Sequence, residues 1–493
     1  MANNTNRGFG QRASDISQRV ICVVSSNLFL KLTFLWFIVQ AIYFAFSVKF
    51  GIPPDEDYHL TFIRLFAQHS PSPFLSDSGI PGVLLEVARN PFFLYHYLLS
   101  FPYLIIRHLP QPYVWLRMIN VLLGTGSLYL VNRIASQLKV STLVRNLSIF
   151  MLANTLMFVF LSASINYDNL FIPLCLASVY LLLRLFDKVT ARDSLMFLAV
   201  TLAGLMVKIS FLPMAAVVLA LLAAKHWRHL PAVLTSFKKT FRQSVRLNWL
   251  LIIVVLLLGG LFSQRYVYNL ATYHSYQPVC PSVRAIGDCR QSALFARDES
   301  LSGPNRHPAT ASWPSYLQQW SKLMAQRVYG VFGHMRFPAN KYIELWSVAA
   351  AALFALAFAV KWRPSDQAFT IVVVVSLFYL LSLIIDNHNL YNQTGRLQLA
   401  VQGRYVFGVL PLIYLAGNHY AERLLKDSPA MLVYLVVTLA IFSISGLPTY
   451  LRKATPEWHA NLHLGLVAPV QEASSQQLSY DSWISQTMTN QGK

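Results

Sequence analysis

The sequence predicts an all-α polytopic membrane protein with about 11 transmembrane helices. Hydrophobic residues make up 55% of its 493 residues and charged residues only 12%, whereas soluble domains have about 25% charged residues. Several apolar stretches approach the roughly 20 residues that cross a bilayer as a helix. Short connections rich in Lys and Arg separate many of these stretches. A soluble chain of this length would need more polar residues to cover its surface.

The individual helices follow from the positions of the apolar stretches. Residues 194–224 are predicted either as two short helices or as one bent span, because Pro213 lacks a backbone donor. Residues 92–109 are apolar, but a span there would turn every later basic connection outward. They are therefore predicted to form an interfacial or re-entrant helix. The predicted spans are 28–48, 115–131, 147–163, 170–186, 194–209, 211–224, 247–263, 343–360, 367–385, 404–418 and 429–447.

The distribution of Lys and Arg predicts the orientation of these helices. Basic residues are densest in the short connections on the side of the amino end, and the positive-inside rule places that side in the cytoplasm. We therefore expect a cytoplasmic segment at 1–27 and a transmembrane domain at 28–447. Outer-face segments are expected at 49–114, 265–342 and 448–493, which leaves the carboxyl end periplasmic or extracellular. The expected location is a cell membrane, namely a bacterial inner membrane.

The net charge of +20 does not indicate a nucleic-acid partner. The basic residues are scattered among apolar segments, form no single stripe and belong to no nucleic-acid-binding motif. Flanking and orienting membrane helices explains most of them. Contact with anionic lipid headgroups or with a phosphate-bearing substrate explains the rest. The expected partners are therefore the lipid bilayer and a phosphate-bearing molecule.

Two of the four cysteines predict a disulfide bond. Cys280 and Cys289 share the polar loop "CPSVRAIGDC", and an oxidising compartment would favour a local bridge between them. Metal binding is less favoured, because the spacing lacks a second pair of ligands. Cys22 and Cys175 lie in or beside apolar segments and are predicted to be inert packing residues.

The densest cluster of acids follows the first predicted span, in "FGIPPDEDYHLTF" at residues 50–62. Asp55 and Glu56 are expected near a helix start, where backbone N–H groups favour carboxylates. A helix cap with a solvated acidic turn would explain the cluster, but ionisable groups at membrane depth are costly and usually functional. In a functional site, Asp55 would be a general base for an acceptor hydroxyl. Alternatively, Asp55, Glu56 and His59 would hold a divalent metal ion.

Two further polar groups are predicted on the same outer face. Asn166, Asp168 and Asn169 in "SASINYDNLF" offer hydrogen bonds to a polyhydroxylated ligand, although these residue types also favour an ordinary tight turn. Lys208 stands alone among apolar residues in "LMVKISFLP". It is either a lysine that snorkels at a helix end or a contact for a phosphate. The positive-inside rule gives no reason for it on the outer face, so we favour the phosphate contact.

Basic and amide side chains on two more segments complete this predicted outer-face group. Gln402, Arg404 and Tyr405 in "LQLAVQGRYVFGVLP" lead a predicted helix, and Arg404 can bind a phosphate bidentately. An interfacial Arg–Tyr anchor is the alternative. Arg89 in "VARNPFFLYHYLL" is a further candidate for substrate binding, although an ordinary helix start has the same pattern. The shared placement of these groups favours a binding site over independent turns and anchors.

These motifs, in this order, resemble the GT-C superfamily of multi-span glycosyltransferases, which use polyprenyl-phosphate-linked sugars. The resemblance covers most of residues 28–420. The motifs PPDExxH, SxNxD and QGRY are most similar to an uncharacterised predicted-membrane-protein family. Two features depart from the superfamily pattern: "RNP" at 89–91 stands where many members have His-Pro-Pro, and Tyr167 replaces the usual proline before Asp168.

The resemblance implies an integral-membrane glycosyltransferase with a GT-C-like fold. A sugar would move from a polyprenyl-phosphate donor on the outer face to a glycan, lipid or protein acceptor, with inversion at the sugar. Asp55 would be the catalytic base, Glu56 would assist it or bind a metal ion, and Lys208 and Arg404 would contact the phosphate. Two alternatives stay open: a transporter or flippase of lipid-linked saccharides, and a non-catalytic partner in polysaccharide assembly.

Overall fold

The computed structural model describes residues 18–68, 89–290, 293–302, 309–426 and 428–460. Helices account for nearly all of the regular structure in these ranges, and one antiparallel two-stranded ribbon accompanies them. The predicted all-α fold is therefore confirmed.

Within the described ranges up to residue 273, most residues are helical. A 3₁₀ turn at Trp227–His229 leads from the ninth helix into the tenth, and a π-helical turn at Ser263–Val267 leads from the eleventh into the twelfth. The helices are α1 (Asn27–Ser47), α2 (Glu56–Gln68), α3 (Leu94–Ile106), α4 (Pro112–Gln137), α5 (Thr142–Ala153), α6 (Leu156–Ser162), α7 (Asp168–Asp187), α8 (Ala191–Leu205), α9 (Phe211–His226), α10 (Leu230–Gln243), α11 (Val245–Phe262) and α12 (Tyr268–Tyr273).

The second part combines short elements with long apolar helices. The ribbon pairs Val331 with Phe337 and Phe332 with Arg336, and a 3₁₀ helix at Gly403–Gly408 precedes α20. The elements are α13 (Cys280–Val283), α14 (Ile286–Cys289), α15 (Ala293–Ser302), α16 (Trp313–Tyr329), β1 (Val331–Phe332), β2 (Arg336–Phe337), α17 (Lys341–Lys361), α18 (Gln367–Thr394), α19 (Leu397–Ala400), α20 (Leu410–Leu425), α21 (Pro429–Ser445) and α22 (Leu447–Lys453).

Seven helices in the described ranges are long and apolar enough to cross a membrane: α1, α4, α7, α9 with α10, α11 with α12, α17 and α18. Three further pairs reach the required length only together. The bend is 66° between α5 and α6, 64° between Leu397–Gly408 and α20, and 47° between α21 and α22. The chain is thus a multi-pass membrane protein, and its described ranges contain seven candidate spans, or up to ten if each bent pair is one span. The predicted total of 11 stays a prediction.

The two segments that the sequence left ambiguous are resolved as helices. Residues 194–224 form two helices, α8 and α9, separated at 206–210. Pro213 lies in the first turn of α9, where the backbone N–H groups have no partner within the helix, so it does not interrupt that helix. Residues 92–109 contain α3, which is apolar but too short to count as a candidate span.

Hydrogen bonds between connections define one end of the bundle. Ser141 Oγ donates to Glu422 Oε1 at 2.8 Å, and Arg423 Nη1 donates to Asp366 Oδ2 at 2.5 Å. These bonds join the connections after α4 and α17 to the last turn of α20, and all three regions are predicted to face the cytoplasm. At the other end, the residue after α1 pairs with the segment after α22 through a bridge between Val48 and His459.

The predicted outer-face segment at 265–342 contains the cysteine pair. Cys280 and Cys289 form a disulfide that joins α13 to α14. Cys175 is buried in α7, whereas Cys22 is exposed. The predicted tail at 448–493 is described only up to residue 460.

Candidate active site

The acidic turn that carries Asp55 has an unusual backbone conformation. The chain leaves α1, passes Pro53 and Pro54, and starts α2 at Glu56. Asp55 has a φ of 57°, a left-handed value that few residues other than glycine adopt and that Asp and Asn tolerate best. Its carbonyl accepts the first helical hydrogen bond from the His59 N–H at 2.9 Å. Such strain is characteristic of functional sites.

Four charged side chains from four separate segments meet beside this turn. Arg404 Nη2 donates to Asp55 Oδ2 at 2.5 Å. Arg404 Nε also lies 3.5 Å from Asp168 Oδ2, and Lys208 Nζ donates to Asp168 Oδ1. Asp168 opens α7, Lys208 lies in the break between α8 and α9, and Arg404 lies in the 3₁₀ helix before α20. These four predicted site residues therefore form one cluster.

Aromatic rings enclose the lysine of this cluster. Lys208 Nζ lies 4.1 Å from the ring centroid of Tyr405 and 4.9 Å from that of Tyr167. A cation over an aromatic face is stabilised by the ring quadrupole, more so where water is excluded. Tyr405 was predicted as a site residue, whereas Tyr167 was noted only as a departure from a proline.

The charges of the cluster are balanced, and Asp55 is its accessible member. Asp55 and Asp168 face Arg404 and Lys208, and the Asp55 side chain is 46% exposed while the other three are almost fully buried. Partial burial acts to raise the pKa of Asp55, but the neighbouring Arg404 guanidinium opposes this effect and holds that pKa at about 2. Asp55 is therefore a carboxylate at any physiological pH.

The cluster has hydrogen-bonding capacity left over. Arg404 Nη1 and Nε are buried and donate to no residue in the described ranges. Asp168 Oδ2 likewise accepts no hydrogen bond there, although Arg404 neutralises it. Leaving a buried charged donor without a partner costs free energy, so an unused guanidinium nitrogen beside an accessible carboxylate is the arrangement expected of a site that a ligand completes.

Glu56 is engaged in a buried network. Its Oε1 and Oε2 accept from Arg117 at 2.7 and 2.6 Å, and the Ile165 N–H also donates to Oε1 at 3.0 Å. Arg117 Nη1 donates in turn to the carbonyls of Ala45 and Val48. The pair ties α1, α2, α4 and the turn before α7 together, which indicates that Glu56 positions Asp55. Sequence reasoning missed Arg117, although a lone arginine inside an apolar helix is a signal of function or of a buried partner.

His59 faces a second histidine rather than the charged cluster. Its Nδ1 lies 2.8 Å from His96 Nε2, and both rings are buried. Burial and the nearby His96 hold the pKa of His59 well below its usual range, although Asp55 acts in the opposite direction. His59 is therefore neutral at pH 7. Its buried Nε2 has no hydrogen-bond partner in the described part of the chain.

These contacts do not fit the metal site predicted from Asp55, Glu56 and His59. Both Glu56 oxygens bind Arg117, and one His59 nitrogen is paired with His96. Across the described residues, no group of three His, Cys, Asp or Glu side chains is arranged to hold a metal ion.

The two asparagines of "SINYDNL" hold the backbone that carries Asp168. Asn166 Nδ2 donates to the Pro54 carbonyl at 3.0 Å, and its Oδ1 accepts from the Asp168 N–H at 2.9 Å. Asn169 Nδ2 donates to the Ser164 carbonyl at 2.9 Å. Asn166 thus links the Asp55 turn directly to the Asp168 turn, so that one side chain sets the spacing of the two carboxylates.

Arg89 lies against the start of α12. Its guanidinium carbon is 4.8 Å from the ring centroid of Tyr268, and its carbonyl accepts from Asn269 Nδ2 at 2.8 Å. Gln402 is partly buried and directly precedes the 3₁₀ helix that carries Arg404.

Gly403 allows that 3₁₀ helix to approach α16. A Cβ at Gly403 would lie 2.3 Å from the carbonyl carbon and oxygen of Arg327. We expect Gly403→Ala to displace the backbone next to Arg404, which would lower the free energy of unfolding by about 1–3 kcal/mol and reduce activity. Gly126→Ala is the matched control, because nothing lies within 4 Å of its added Cβ. Thermal unfolding in detergent compares the two, and equal stability would contradict the close approach.

Comparison with protein families gives a match in the middle of the chain. Residues 88–265 match the sequence model of the dolichyl-phosphate-mannose-protein mannosyltransferase family. The match covers less than half of the chain and includes Asp168 and Lys208, but neither Asp55 nor Arg404. It supports a relation to the GT-C superfamily of membrane glycosyltransferases with polyprenyl-phosphate sugar donors. No curated protein and no solved structure matches the chain.

Proposed function

We propose that this protein is an integral-membrane glycosyltransferase that moves a sugar from a polyprenyl-phosphate donor to a glycan, lipid or protein acceptor of the cell envelope. The main support is the position of Arg404. It joins Asp55 to Asp168, and its buried Nη1 has no hydrogen-bond partner among the described residues. The family match at 88–265 supports the same reaction class independently.

Arg404 and Lys208 would bind the donor phosphate. Arg404 has the planar donor geometry that suits a phosphate, and Lys208 contributes a second positive charge held over aromatic rings. Both cations are almost fully buried, and charge interactions are stronger where water is excluded. The polyprenyl chain would stay in the surrounding lipid.

Asp55 would act as the general base. It takes the proton of an acceptor hydroxyl while that oxygen attacks the anomeric carbon of the sugar. The bond between that carbon and the phosphate oxygen breaks, and its electron pair leaves with the polyprenyl phosphate. Arg404 and Lys208 stabilise the negative charge that develops on this leaving group. A single displacement without a covalent sugar–enzyme intermediate inverts the configuration.

Donor binding would also activate the base. Without a ligand, Arg404 helps to hold the pKa of Asp55 at about 2, which makes a weak base at neutral pH. A donor phosphate competes with Asp55 for the same guanidinium. Its negative charge therefore raises the pKa of Asp55 only when the sugar is in place, which favours an order in which the donor binds before the acceptor.

The remaining predicted site residues are assigned supporting roles. His59 Nε2 would form a hydrogen bond with a substrate hydroxyl, because this buried nitrogen is adjacent to the Asp55 turn and unpaired within the described ranges. Glu56, Asn166 and Asn169 would position the two carboxylates. Arg89 and Gln402 would contribute to the walls of the donor and acceptor sites.

The site is proposed to face the periplasm or the extracellular space. The basic connections after α4 and α17 are joined to the last turn of α20 at one end of the bundle, and the positive-inside rule favours the cytoplasm for that end. The cluster lies with the opposite connections, beside the end of α1. A bacterial inner membrane is the proposed location.

Substitution of Arg404 tests the donor site. We expect Arg404→Gln to lower kcat/KM for the donor about 100- to 1000-fold, since the leaving phosphate loses its principal donor. Arg404→Lys retains the charge without the planar fork, so partial activity is expected. Arg336→Gln, at an exposed arginine of the ribbon, is the control and should leave activity unchanged.

The measurement uses the purified protein in proteoliposomes with a panel of radiolabelled polyprenyl-phosphate sugars and thin-layer detection of transfer or release. Unchanged kcat/KM in Arg404→Gln would remove this residue from donor binding. Failure of every donor in the panel with well-folded protein would contradict the proposed function itself.

A further inference from the structure

Helix α10 occupies the end of the bundle away from the charged cluster. Ser236 Oγ donates to the Val189 carbonyl, and the Ala191 N–H donates to Thr240 Oγ1, both at 2.8 Å. Val189 lies in the short connection between α7 and α8, and Ala191 is the first residue of α8. Asp168 and Lys208 of the cluster lie at the other ends of these same two helices, so α10 and the cluster are separated by the length of α7 and α8.

The exposed face of α10 carries apolar residues followed by cations. Leu230, Leu234, Lys238 and Arg242 are spaced four residues apart, so they form one stripe along the helix. Leu230 and Leu234 are 55% and 52% exposed, and Lys238 and Arg242 are also exposed. The opposite face carries Ser236 and Thr240, whose hydrogen bonds attach α10 to Val189 and Ala191.

The charged residues in and around α10 are all Lys or Arg. Between residues 225 and 246 there is no Asp or Glu. The cations of this region are Lys225, Arg228, Lys238, Lys239, Arg242 and Arg246.

The position of α10 in the chain brings this face to a bilayer surface. It continues α9 within the candidate span Phe211–Gln243 and precedes the candidate span Val245–Tyr273. A helix of 33 residues is about 50 Å long, more than the roughly 30 Å of the hydrocarbon core, so the amphipathic second half, α10, extends to the bilayer surface. Transfer of exposed leucine side chains from water into an apolar environment is favourable. Cations beside such leucines match the pattern of helices that lie in the interface of an anionic membrane.

We propose that α10 is an interfacial helix that binds anionic phospholipids of the adjoining leaflet. Leu230 and Leu234 enter the boundary of the acyl chains, and Lys238, Lys239 and Arg242 contact headgroup phosphates. This function is separate from sugar transfer, because it uses the opposite end of the molecule and none of the cluster residues.

Hydrogen exchange of the full-length protein in nanodiscs tests this interaction. One sample contains phosphatidylcholine alone, and a second contains phosphatidylcholine mixed with phosphatidylglycerol. We expect the backbone amides of 230–243 to exchange about tenfold more slowly with phosphatidylglycerol, and high salt to reduce the difference. Inorganic phosphate added to phosphatidylcholine nanodiscs should have no effect. Equal exchange in both bilayers, or slowing by free phosphate alone, would overturn the proposal.

Two variants with equal loss of charge sharpen the comparison. K238Q/K239Q/R242Q should lose the dependence on phosphatidylglycerol. R107Q/K322Q/K341Q removes three exposed cations outside α10 and should retain it. Retention in both variants would also contradict the proposal. Should the first variant fold poorly, the lipid comparison on the unsubstituted protein still decides.

Discussion

Replacing Asp55 by Asn is expected to reduce kcat about 100- to 10,000-fold, the usual contribution of a general base. Asn keeps the size of the side chain and tolerates the left-handed φ of 57° at this position, so the turn should survive. It retains polar contact with Arg404 but cannot accept the proton of the acceptor hydroxyl. Sugar transfer by the purified variant, normalised to folded protein, measures the effect.

Asp57→Asn is the matched control for this experiment. Asp57 lies two residues away, its side chain is 52% exposed, and its Oδ1 is 3.9 Å from His334 Nε2. We expect activity within about twofold of the unsubstituted protein, since an exposed surface charge contributes little. Full activity in Asp55→Asn would show that another group accepts the proton. It would also leave a non-catalytic role in polysaccharide assembly as the better interpretation of this site.

The second large effect is expected at the buried pair of Glu56 and Arg117. Both side chains are fully buried, and removing one partner leaves the other as an uncompensated charge. Glu56→Gln should therefore lower the free energy of unfolding by about 3–5 kcal/mol. Unfolding in detergent, followed by the loss of helical signal, measures this change.

An exposed ion pair provides the comparison for that prediction. The side chains of Arg290 and Glu299 are 59% and 41% exposed, so Glu299→Gln should lower the free energy of unfolding far less than Glu56→Gln does. The double variant Glu56→Gln/Arg117→Gln should lose less stability than the two single variants added together, because no lone charge remains. Additive effects in the double variant would show that the two residues stabilise the fold independently.

The sequence alone located nearly every long helix. The predicted spans 28–48 and 170–186 match α1 and α7 to within a few residues. In lipid the backbone N–H and C=O groups must form hydrogen bonds within the helix, so an apolar run long enough to cross the bilayer indicates a helix. The sequence did not predict α10, whose Lys and Arg residues interrupt the apolar run that continues from α9. Nor did it predict the sharp bends, which depend on packing between helices.

The candidate site residues could also be identified from the sequence, because carboxylates and cations at membrane depth are rare. Their roles, however, were decided by contacts. Glu56 was predicted beside Asp55 as a second catalytic residue. In the structure both of its carboxylate oxygens accept hydrogen bonds from Arg117, 61 residues away. Asn166 and Asn169 were predicted to form hydrogen bonds with a polyhydroxylated ligand. In the structure their amide nitrogens donate to backbone carbonyls.

By itself, then, the sequence determined that this is an all-α membrane protein and which few polar residues it places among apolar ones. Only the tertiary structure decided that Asp55 meets Arg404 across 349 residues and that Glu56 instead meets Arg117. The physical reason is that periodicity and hydropathy act over a few turns of helix. The partner of a buried charge is chosen by whichever opposite charge the packed helices bring within hydrogen-bonding distance.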